Sequence, residues 1–253
     1  MSSSITVVKL GGTEGVDFSA ICQDAAKLLA EGQRLVLVHG GSAEANALGE
    51  ALGTPPHFIT SPSGYTSRYT DRGTLEVFCM AVNGKVNTLL VEQLQKLGVN
   101  ALGLSGLDGK LLLANRKESI QSIENGKRKI IRDDYTGKIE SVNAGLLNLL
   151  LDAGYLPVVA PVACSQNGDA LNVDADRAAA MVAGALKAEN LLLLTAVPGL
   201  MRKFPDESTL IKNLPQSKLD EAIQFAEGRM KKKVLGAQEA LQGGTRRIII
   251  ADG

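Results

Sequence analysis

Six continuously apolar runs recur along the chain and are separated by helical patterns. The runs are Ile5–Leu10, Arg34–His39, Ala101–Leu104, Leu156–Ala160, Leu191–Thr195 and Arg247–Ala251. Helical patterns lie around Phe18–Leu29, Ala43–Leu52, Thr74–Leu97, Ser141–Ala153, Ala175–Leu186, Ser217–Ala226 and Lys231–Leu241. Apolar runs without alternation are typical of parallel strands that are buried on both faces. The pattern therefore predicts an α/β protein, a three-layer αβα sandwich with a mainly parallel central sheet.

The segment Lys110–Glu140 breaks this rhythm. Asn125-Gly126 and Thr136-Gly137 separate short β-type runs and are typical of hairpin turns. They predict an antiparallel β-hairpin excursion at the edge of the sheet. The segment is basic, and its cations include Arg116, Lys117, Lys127, Arg128, Lys129 and Arg132. These cations either protect a solvated edge or form a docking surface for an acidic partner.

Composition excludes several classes of function. The 27 Lys and Arg residues balance 27 Asp and Glu residues, which gives no global signal for nucleic acid or an anionic membrane. No apolar run is long enough to span a bilayer, and because Met1–Ile5 has no basic residue and no apolar core, we do not expect a signal peptide. Cys22, Cys79 and Cys164 are scattered, which favours reduced thiols over disulfides or a metal site. We therefore expect a cytoplasmic protein that binds neither nucleic acid nor membrane.

Two glycine pairs follow the first two apolar runs, in Lys9-Leu-Gly-Gly12 and His39-Gly-Gly-Ser42. Amides at a helix N-terminus bind anions, and the carboxyl ends of parallel strands meet at one edge of a sheet. The pairs therefore predict a phosphate or carboxylate site beside Lys9, unless they are only tight turns. Ser42 is a candidate helix N-cap. His39 is either a buried residue that closes its strand, which we favour, or a ligand or base.

Three further stretches carry candidate residues. Arg68 lies in a Gly/Ser/Thr-rich loop, where its guanidinium can grip a carboxylate with two N–H groups, unless it pairs with Asp71. The three acids of Asn167–Asp176 either cap a helix or organise nearby cations, with Asp176 orienting lysines and Asn172 donating to a ligand. Lys231–Lys233 open a helix against its dipole, so they are either a solvated charge run or hold a lysine near a phosphoryl group.

Taken in order, these motifs resemble the amino acid kinase family, and within it the N-acetylglutamate kinase branch, over essentially the whole chain. The motifs are Lys9-Leu-Gly-Gly, His39-Gly-Gly, Arg68-x-Thr-Asp71 with Thr74-Leu-Glu-Val, Gly103-Leu-Ser-Gly, Asn172-Val-Asp-Ala-Asp176, Thr195-Ala-Val-Pro-Gly-Leu200 and Met230-x-x-Lys233. A finer similarity, to the carrier-dependent kinases of lysine biosynthesis, lies in Tyr65–Arg72, Gly41-Ser42 and Ser105–Gly109, with Leu107 where acetylglutamate enzymes usually have lysine.

The resemblance implies an ATP-dependent kinase of lysine or arginine biosynthesis. It would phosphorylate the side-chain carboxylate of aminoadipate or glutamate, whose amino group is masked by a small acidic carrier protein, to an acyl phosphate. A side-chain carboxyl group of this kind ordinarily titrates near pH 4.3, so the acceptor is already an anion at neutral pH and needs no general base. This fits a chain with only two histidines. The alternatives are a kinase of free N-acetyl-L-glutamate and a non-catalytic small-molecule sensor on the same fold.

Residue functions follow from the same resemblance. Residues 1–170 would form the acyl-acceptor lobe and residues 171–253 the ATP-binding lobe. The catalytic residues would be Lys9, Lys233 and Asp176, and the acceptor would contact Gly40, Gly41, Ser42, Arg68 and Asn172. The nucleotide would contact Gly11, Gly12, Thr195, Val197, Gly199, Leu200 and Met230. The carrier would dock on Lys127, Arg128, Lys129 and Arg132.

The remaining expectations concern cofactors, assembly and regulation. ATP would bring Mg²⁺, held mainly by the nucleotide phosphates rather than by a protein metal site. A homodimer through the first lobe is expected. The family usually continues past Ile250-Ala-Asp-Gly253 with a segment that completes the sheet, which puts the stability of the nucleotide lobe in question. The N-terminal extension of arginine-inhibited relatives is not seen here, so that feedback is not expected.

Overall fold

The computed structural model describes residues 4–11, 17–62, 64, 66–124, 127–226 and 228–253. The strands are β1 (Ile5–Leu10), β2 (Arg34–His39), β3 (Phe58–Thr60), β4 (Thr66–Arg68), β5 (Ala101–Gly106), β6 (Leu112–Arg116), β7 (Ile120–Glu124), β8 (Lys127–Ile131), β9 (Gly137–Val142), β10 (Leu156–Cys164), β11 (Ala170–Asn172), β12 (Asn190–Thr195) and β13 (Arg247–Asp252). The α-helices are α1 (Phe18–Ala30), α2 (Ser42–Ala51), α3 (Arg72–Cys79), α4 (Thr88–Lys96), α5 (Ala144–Asp152), α6 (Ala175–Ala185), α7 (Leu219–Phe225) and α8 (Gly228–Gln242).

One sheet organises the molecule. Its strand order is β13-β12-β1-β2-β10-β6-β9, and β5 and β11 pair with other parts of β10. The strands from β13 to β10 are parallel to one another, as is β5 to β10. All nine residues of β10 are buried, which explains why it reads as a continuous apolar run. The predicted parallel sheet is confirmed.

Alternate side chains of the central strands enter two different hydrophobic layers. Val7, Val36 and Val38 pack in one cluster with α6 and α5, whereas Val8, Leu35 and Leu37 pack in another with α1 and α4. This alternation follows from the two-residue period of a strand. Helices therefore cover both faces, and the three-layer αβα prediction is confirmed. None of the described helices combines the length and the apolar character needed to cross a membrane.

The predicted helix over Thr74–Leu97 forms as one continuous helical segment from Arg72 to Lys96, but its middle part is not an α-helix. A π-helical segment, Met80–Asn87, joins α3 to α4. Short 3₁₀ turns occur at Asp108–Lys110, Glu207–Thr209 and Gln216–Lys218. The π segment packs against α2 and places Val82 and Asn87 against the end of β2. The sequence pattern alone did not distinguish this segment from an α-helix.

The antiparallel excursion forms, but only part of it joins the main sheet. β9 pairs antiparallel with β6 at the sheet edge, while β7 and β8 form a separate two-stranded sheet, here termed the basic ribbon. Asn125-Gly126 lies outside the described residues. Thr136-Gly137 is not a hairpin turn, because Thr136 bridges to Asn172 and Gly137 begins β9. A Cβ on Gly137 would lie 3.0 Å from Leu171, so close packing explains this glycine.

Candidate functional site

A cavity of about 900 Å³ opens beside the carboxyl ends of β1 and β2. It gathers residues from distant parts of the chain. The sequence-predicted residues in its lining are Lys9, Gly11, Gly40, Gly41, Ser42, Arg68, Asn172, Asp176, Thr195 and Lys233. Its position agrees with the rule that open α/β sheets bind ligands beyond the carboxyl ends of their strands.

Two lysines share one carboxylate in this cavity. Lys9 at the end of β1 lies with Nζ 2.9 Å from Asp176 Oδ1. Lys233 on α8 donates to Oδ1 at 2.9 Å and to Oδ2 at 3.1 Å of the same carboxylate. Lys9 is 6% exposed and Lys233 5% exposed, so the cluster is removed from bulk water. The cluster carries one net positive charge, which favours an anion as its ligand.

The charges in this cluster shift each other's protonation. Burial alone would raise the pKa of Asp176, but the ammonium groups of Lys9 and Lys233 outweigh it and hold that pKa below its usual value. Burial lowers the pKa of Lys233, with Asp176 opposing and Lys9 adding to that change. Asp176 is therefore ionised at neutral pH and fixes the two ammonium groups at the cavity.

Asp176 owes its position to the start of α6. Asp174 caps this helix by accepting hydrogen bonds from the backbone N–H groups of Asp176 and Arg177. Of the two alternatives from the sequence, helix capping therefore applies to Asp174, and contact with nearby cations applies to Asp176. Lys232 lies 3.5 Å from the second oxygen of Asp174, so two of the three adjacent lysines face this helix start.

The second glycine turn is shaped by the π segment. The backbone N–H of Gly40 donates to the carbonyl of Leu10, which ties the two turns together. A Cβ on Gly41 would lie 2.7 Å from Val82 Cγ1, so only glycine fits there. Ser42 is the first residue of α2 and Gly41 is its N-cap, so the predicted Ser42 cap is wrong. The Ser42 hydroxyl accepts from Arg68 instead.

His39 is fully buried and neutral, which is the interpretation that the sequence favoured. Burial lowers its pKa to about 4, and the charge of Lys9 acts in the same direction. Nδ1 lies 2.7 Å from the carbonyl of Gly40 and therefore carries the proton, so Nε2 accepts from the amide of Asn87 at 3.0 Å. The ring positions the glycine turn, and its two nitrogens are already engaged.

Arg68 is held beside the second turn. It lies at the end of β4 rather than in a loop, and it is 8% exposed. Its Nη2 contacts the carbonyl and hydroxyl of Ser42 and Oδ1 of Asn46 at 3.3, 3.2 and 2.5 Å. Within the described part of the chain no carboxylate pairs with it, and Asp71 instead caps α3. This buried cation supplies further positive charge for an anionic ligand.

Asn172, at the end of β11, already makes hydrogen bonds within the chain. Its Nδ2 donates to the hydroxyl of Thr70 at 3.0 Å, and its backbone N–H donates to the carbonyl of Tyr135. An amide nitrogen carries two N–H donors, so one remains for a ligand in the cavity that Asn172 lines.

The predicted nucleotide residues separate into two groups. Gly11 and Thr195 line the cavity, and Gly12 lies outside the described residues. Leu200 and Met230 instead belong to a hydrophobic cluster with α7 and α8. Gly199 has φ 148°, and a Cβ there would lie 3.2 Å from the carbonyl of Ile250. Val197 lies in the same loop after β12, outside the cavity lining.

The predicted docking cations lie on β8 and just after it. Lys127, Arg128, Lys129 and Arg132 are all exposed. Their ribbon contacts β3 and forms a two-stranded sheet separate from the main sheet. They lie outside the cavity lining, so the structure separates them from the buried lysines.

Two buried polar residues of the site carried no sequence signal. They are Asn87 and Asp134, and each acts by holding a neighbouring residue. Their partners are distant in the chain, so no short motif revealed them. Among the residues that the structure describes, no group of three or more His, Cys, Asp or Glu side chains is placed to hold a metal ion.

Fold and site together define an αβα protein whose cavity contains two buried lysines paired with one carboxylate. A model of the amino acid kinase family matches residues 4–252. A [LysW]-aminoadipate kinase of Deinococcus radiodurans is 57% identical over 98% of this chain and 85% of that protein. One from Thermus thermophilus is 52% identical over 97% and 92%. An acetylglutamate kinase of Methanopyrus kandleri is 38% identical over 97% and 94%.

A solved structure shares the fold. The N-acetylglutamate synthase of Neisseria gonorrhoeae, complexed with coenzyme A and N-acetyl-glutamate, has a TM-score of 0.78 and 27% identity, over 98% of this chain and 54% of that chain. This chain thus spans about half the length of the synthase. The chain belongs to the amino acid kinase family. The predicted kinase activity, with ATP as donor and a place in amino-acid biosynthesis, is confirmed.

Proposed function

We propose that this kinase transfers the γ-phosphoryl group of ATP to the side-chain carboxylate of aminoadipate or glutamate, presented on a small acidic carrier protein that masks the amino group. The product is an acyl phosphate of lysine or arginine biosynthesis. The observation that carries the proposal is the buried Lys9–Asp176–Lys233 cluster with its net positive charge. The names of the relatives at 57% and 52% identity support the carrier-linked acceptor.

The chemistry requires charge neutralisation rather than a base. The acceptor carboxylate is ionised at neutral pH, and the buried neutral His39 is engaged by Gly40 and Asn87. Two anions must approach each other while charge spreads over the phosphoryl oxygens. In our proposal Lys9 and Lys233 stabilise that charge, and Asp176 orients both ammonium groups. Arg68, Asn172, Ser42 and the Gly40-Gly41 turn hold the acceptor.

The two lobes would bind the two substrates. Residues 1–170 contribute the Gly40–Ser42 turn and Arg68 to the acceptor side, and residues 171–253 contribute Thr195 and the loop up to Leu200 to the nucleotide side. We assign Gly11, Val197, Gly199, Leu200 and Met230 to the nucleotide. Mg²⁺ would be held mainly by the ATP phosphates, which agrees with cavity carboxylates that are already engaged by lysines and helix amides. Mg²⁺ neutralises phosphate charge when bound.

The basic ribbon would dock the carrier. The register pairs Ile123 with Arg128 and Gln121 with Ile130, which places these four side chains on one face. Ile123 and Ile130 are 41% and 55% exposed, whereas Ser122 and Ile131, on the other face, are buried. The outer face thus combines the apolar anchors Ile123 and Ile130 with Arg128, and Arg132 follows β8. Lys127 and Lys129, which are also exposed, alternate to the other face. Apolar anchors with complementary charge suit a small acidic protein.

Charge reversal tests the docking surface. Arg128→Glu and Ile130→Asp should each weaken carrier binding about tenfold or more, measured by calorimetry at low and physiological salt. The matched control is Lys212→Glu, an exposed lysine outside the ribbon, which should leave the affinity unchanged. Wild-type affinity in both ribbon variants would remove the ribbon from the interface.

Hydroxamate trapping of the acyl phosphate tests the acceptor. Carrier-linked aminoadipate, carrier-linked glutamate and free N-acetyl-L-glutamate are compared at matched concentrations. We expect turnover with a carrier-linked acceptor and little with the free one. Efficient use of free N-acetyl-L-glutamate would instead support the second candidate, acetylglutamate kinase activity, which the 38% identical relative favours. Failure to consume ATP with any acceptor would indicate a sensor.

Compartment and assembly complete the proposal. All three cysteines are free, two of them buried, which agrees with a reducing cytoplasm. We expect a homodimer through residues 1–170, and sedimentation velocity measures its mass directly. A monomer at assay concentration would contradict that assignment.

A further inference from the structure

Two acceptor-site residues are tied to one buried threonine. Thr70, which is fully buried, donates its hydroxyl proton to the carbonyl of Arg68 at 3.1 Å. The same hydroxyl accepts from Asn172 Nδ2 at 3.0 Å. Arg68 and Asn172 come from β4 and β11, which lie about a hundred residues apart in the chain, so this one oxygen connects two remote elements.

Thr70 is itself held by a buried carboxylate. Asp134, 3% exposed, accepts the backbone N–H of Thr70 at Oδ2 at 3.0 Å and the backbone N–H of Thr136 at Oδ1 at 2.8 Å. The hydroxyl of Thr136 makes a further short contact with Oδ1. Charge-assisted hydrogen bonds of this kind are stronger than those between neutral groups. The carboxylate therefore fixes the backbone at Thr70 firmly.

Asp134 and Tyr135, which follow the basic ribbon in the chain, are also held in place. Arg116, at the end of β6, donates from Nε to the carbonyl of Asp134 at 2.8 Å. Its guanidinium lies 3.7 Å from the centre of the Tyr135 ring, and the N–H of Tyr135 donates to the carbonyl of Thr70 at 2.6 Å. The chain that leaves β8 is thus joined to the acceptor side of the cavity.

We propose that Thr70 and Asp134 are positioning residues for the acceptor: Asp134 holds Thr70, and the Thr70 hydroxyl sets the Asn172 amide against the end of β4 that carries Arg68. Neither residue is assigned contact with substrate. The inference rests on the proposed function, because it requires a carboxylate acceptor in the cavity. The residues assigned to the nucleotide, Gly11 and those from Thr195 to Met230, are not among the partners of Thr70 and Asp134 described above, so we expect nucleotide binding to be independent of these two residues.

Thr70→Val tests the hydroxyl with little change in volume. We expect the acceptor KM to rise about tenfold, since the hydroxyl's hydrogen bond to the Arg68 carbonyl and the one it accepts from Asn172 are both lost, while the KM for ATP stays within twofold. Thr70→Ser retains the hydroxyl and should restore the acceptor KM. Thr60→Val is the matched control, because the Thr60 hydroxyl makes an exposed contact with the Thr66 hydroxyl. It should leave both KM values unchanged.

A second variant addresses the carboxylate. Asp134→Asn keeps the shape but replaces one acceptor oxygen by a donor, so the acceptor KM should again rise. If this variant does not fold, Thr70→Val decides alone. An unchanged acceptor KM in Thr70→Val, an equal rise in both KM values, or no recovery in Thr70→Ser would each overturn the inference.

Wild-type assays separate this inference from the proposed function. Turnover is first measured with the carrier-linked acceptors and with free N-acetyl-L-glutamate. No turnover with any of them removes the proposed function and this inference with it. Turnover combined with a wild-type KM in Thr70→Val removes the inference alone.

Discussion

The ends of β1 and β2 lie side by side, with Leu10 in register with His39, yet they carry opposite kinds of polar centre. The centre at β1 joins Lys9 and Lys233 to a single carboxylate and is net positive. The centre at β2 is neutral, and the two nitrogens of His39 have partners within the chain. Both centres are buried, so burial does not explain the difference.

The difference indicates that the centre at β1 binds a ligand and that the centre at β2 holds the backbone in position. A buried excess of positive charge is costly until an anion compensates it, so such a centre is built for a ligand. A neutral centre whose hydrogen bonds are complete holds backbone in place and requires nothing from outside. We therefore expect substitutions at the β1 centre to affect turnover and substitutions at the β2 centre to affect stability.

Removing one ammonium group should give the largest effect. Lys9→Ala or Lys233→Ala should lower kcat by roughly 10²–10³, because each removes a donor aimed at developing phosphoryl charge. Steady-state kinetics with saturating ATP measures the change, and circular dichroism checks the fold. Lys96→Ala, at an exposed lysine that pairs with Glu92, is the control. Near-normal turnover in either variant would remove that lysine from the catalytic centre.

Asp176→Asn should have a smaller effect on turnover and a characteristic pH signature. The carboxylate raises the pKa of Lys233, so its removal should lower that pKa further. We expect kcat to fall by about 10-fold to 100-fold, and the alkaline limit of the kcat profile to move to lower pH. Profiles between pH 6 and 10 measure this shift. An unmoved alkaline limit would show that Asp176 does not set the charge of the cluster.

The sequence predicted the β1 centre better than the β2 centre. Lys9, Asp176 and Lys233 each stand in a short motif, and the lysines near the start of α8 oppose the helix dipole, so the sequence pattern marked all three residues as candidates. Asn87 lies within an apolar helical pattern, and its partners, His39 and the Val158 carbonyl, are 48 and 71 residues away. The separation of the basic ribbon from the main sheet likewise depends on contacts with β3 that no local pattern encodes.

Arg68 shares a property with each centre: it is a buried cation, like the lysines at β1, and it is held by hydrogen bonds within the chain, to Ser42 and Asn46, like His39 at β2. The variant Arg68→Lys tests its function. Lysine keeps the charge but loses the planar fork that matches a carboxylate. We expect the acceptor KM to rise about tenfold, with a smaller change in kcat and none in the KM for ATP. Initial rates over a matrix of both substrates separate these terms. An unchanged acceptor KM would exclude Arg68 from the acceptor site.

His39 should have the smallest effect on turnover, and its effect should appear in stability. Its pKa is about 4 in the folded protein and about 6.5 in an unfolded chain, so the unfolded state takes up a proton first as the pH falls. Stability is therefore lost between pH 6.5 and 4, by about 2 kcal/mol at pH 5 relative to pH 7. His39→Asn keeps a donor for the Gly40 carbonyl but does not titrate. Urea unfolding at pH 7 and pH 5 should show a drop that is about 2 kcal/mol smaller in this variant, while carboxylates contribute equally to both proteins. An equal drop would mean that His39 is not held neutral, and the contrast between the two strand ends would fail.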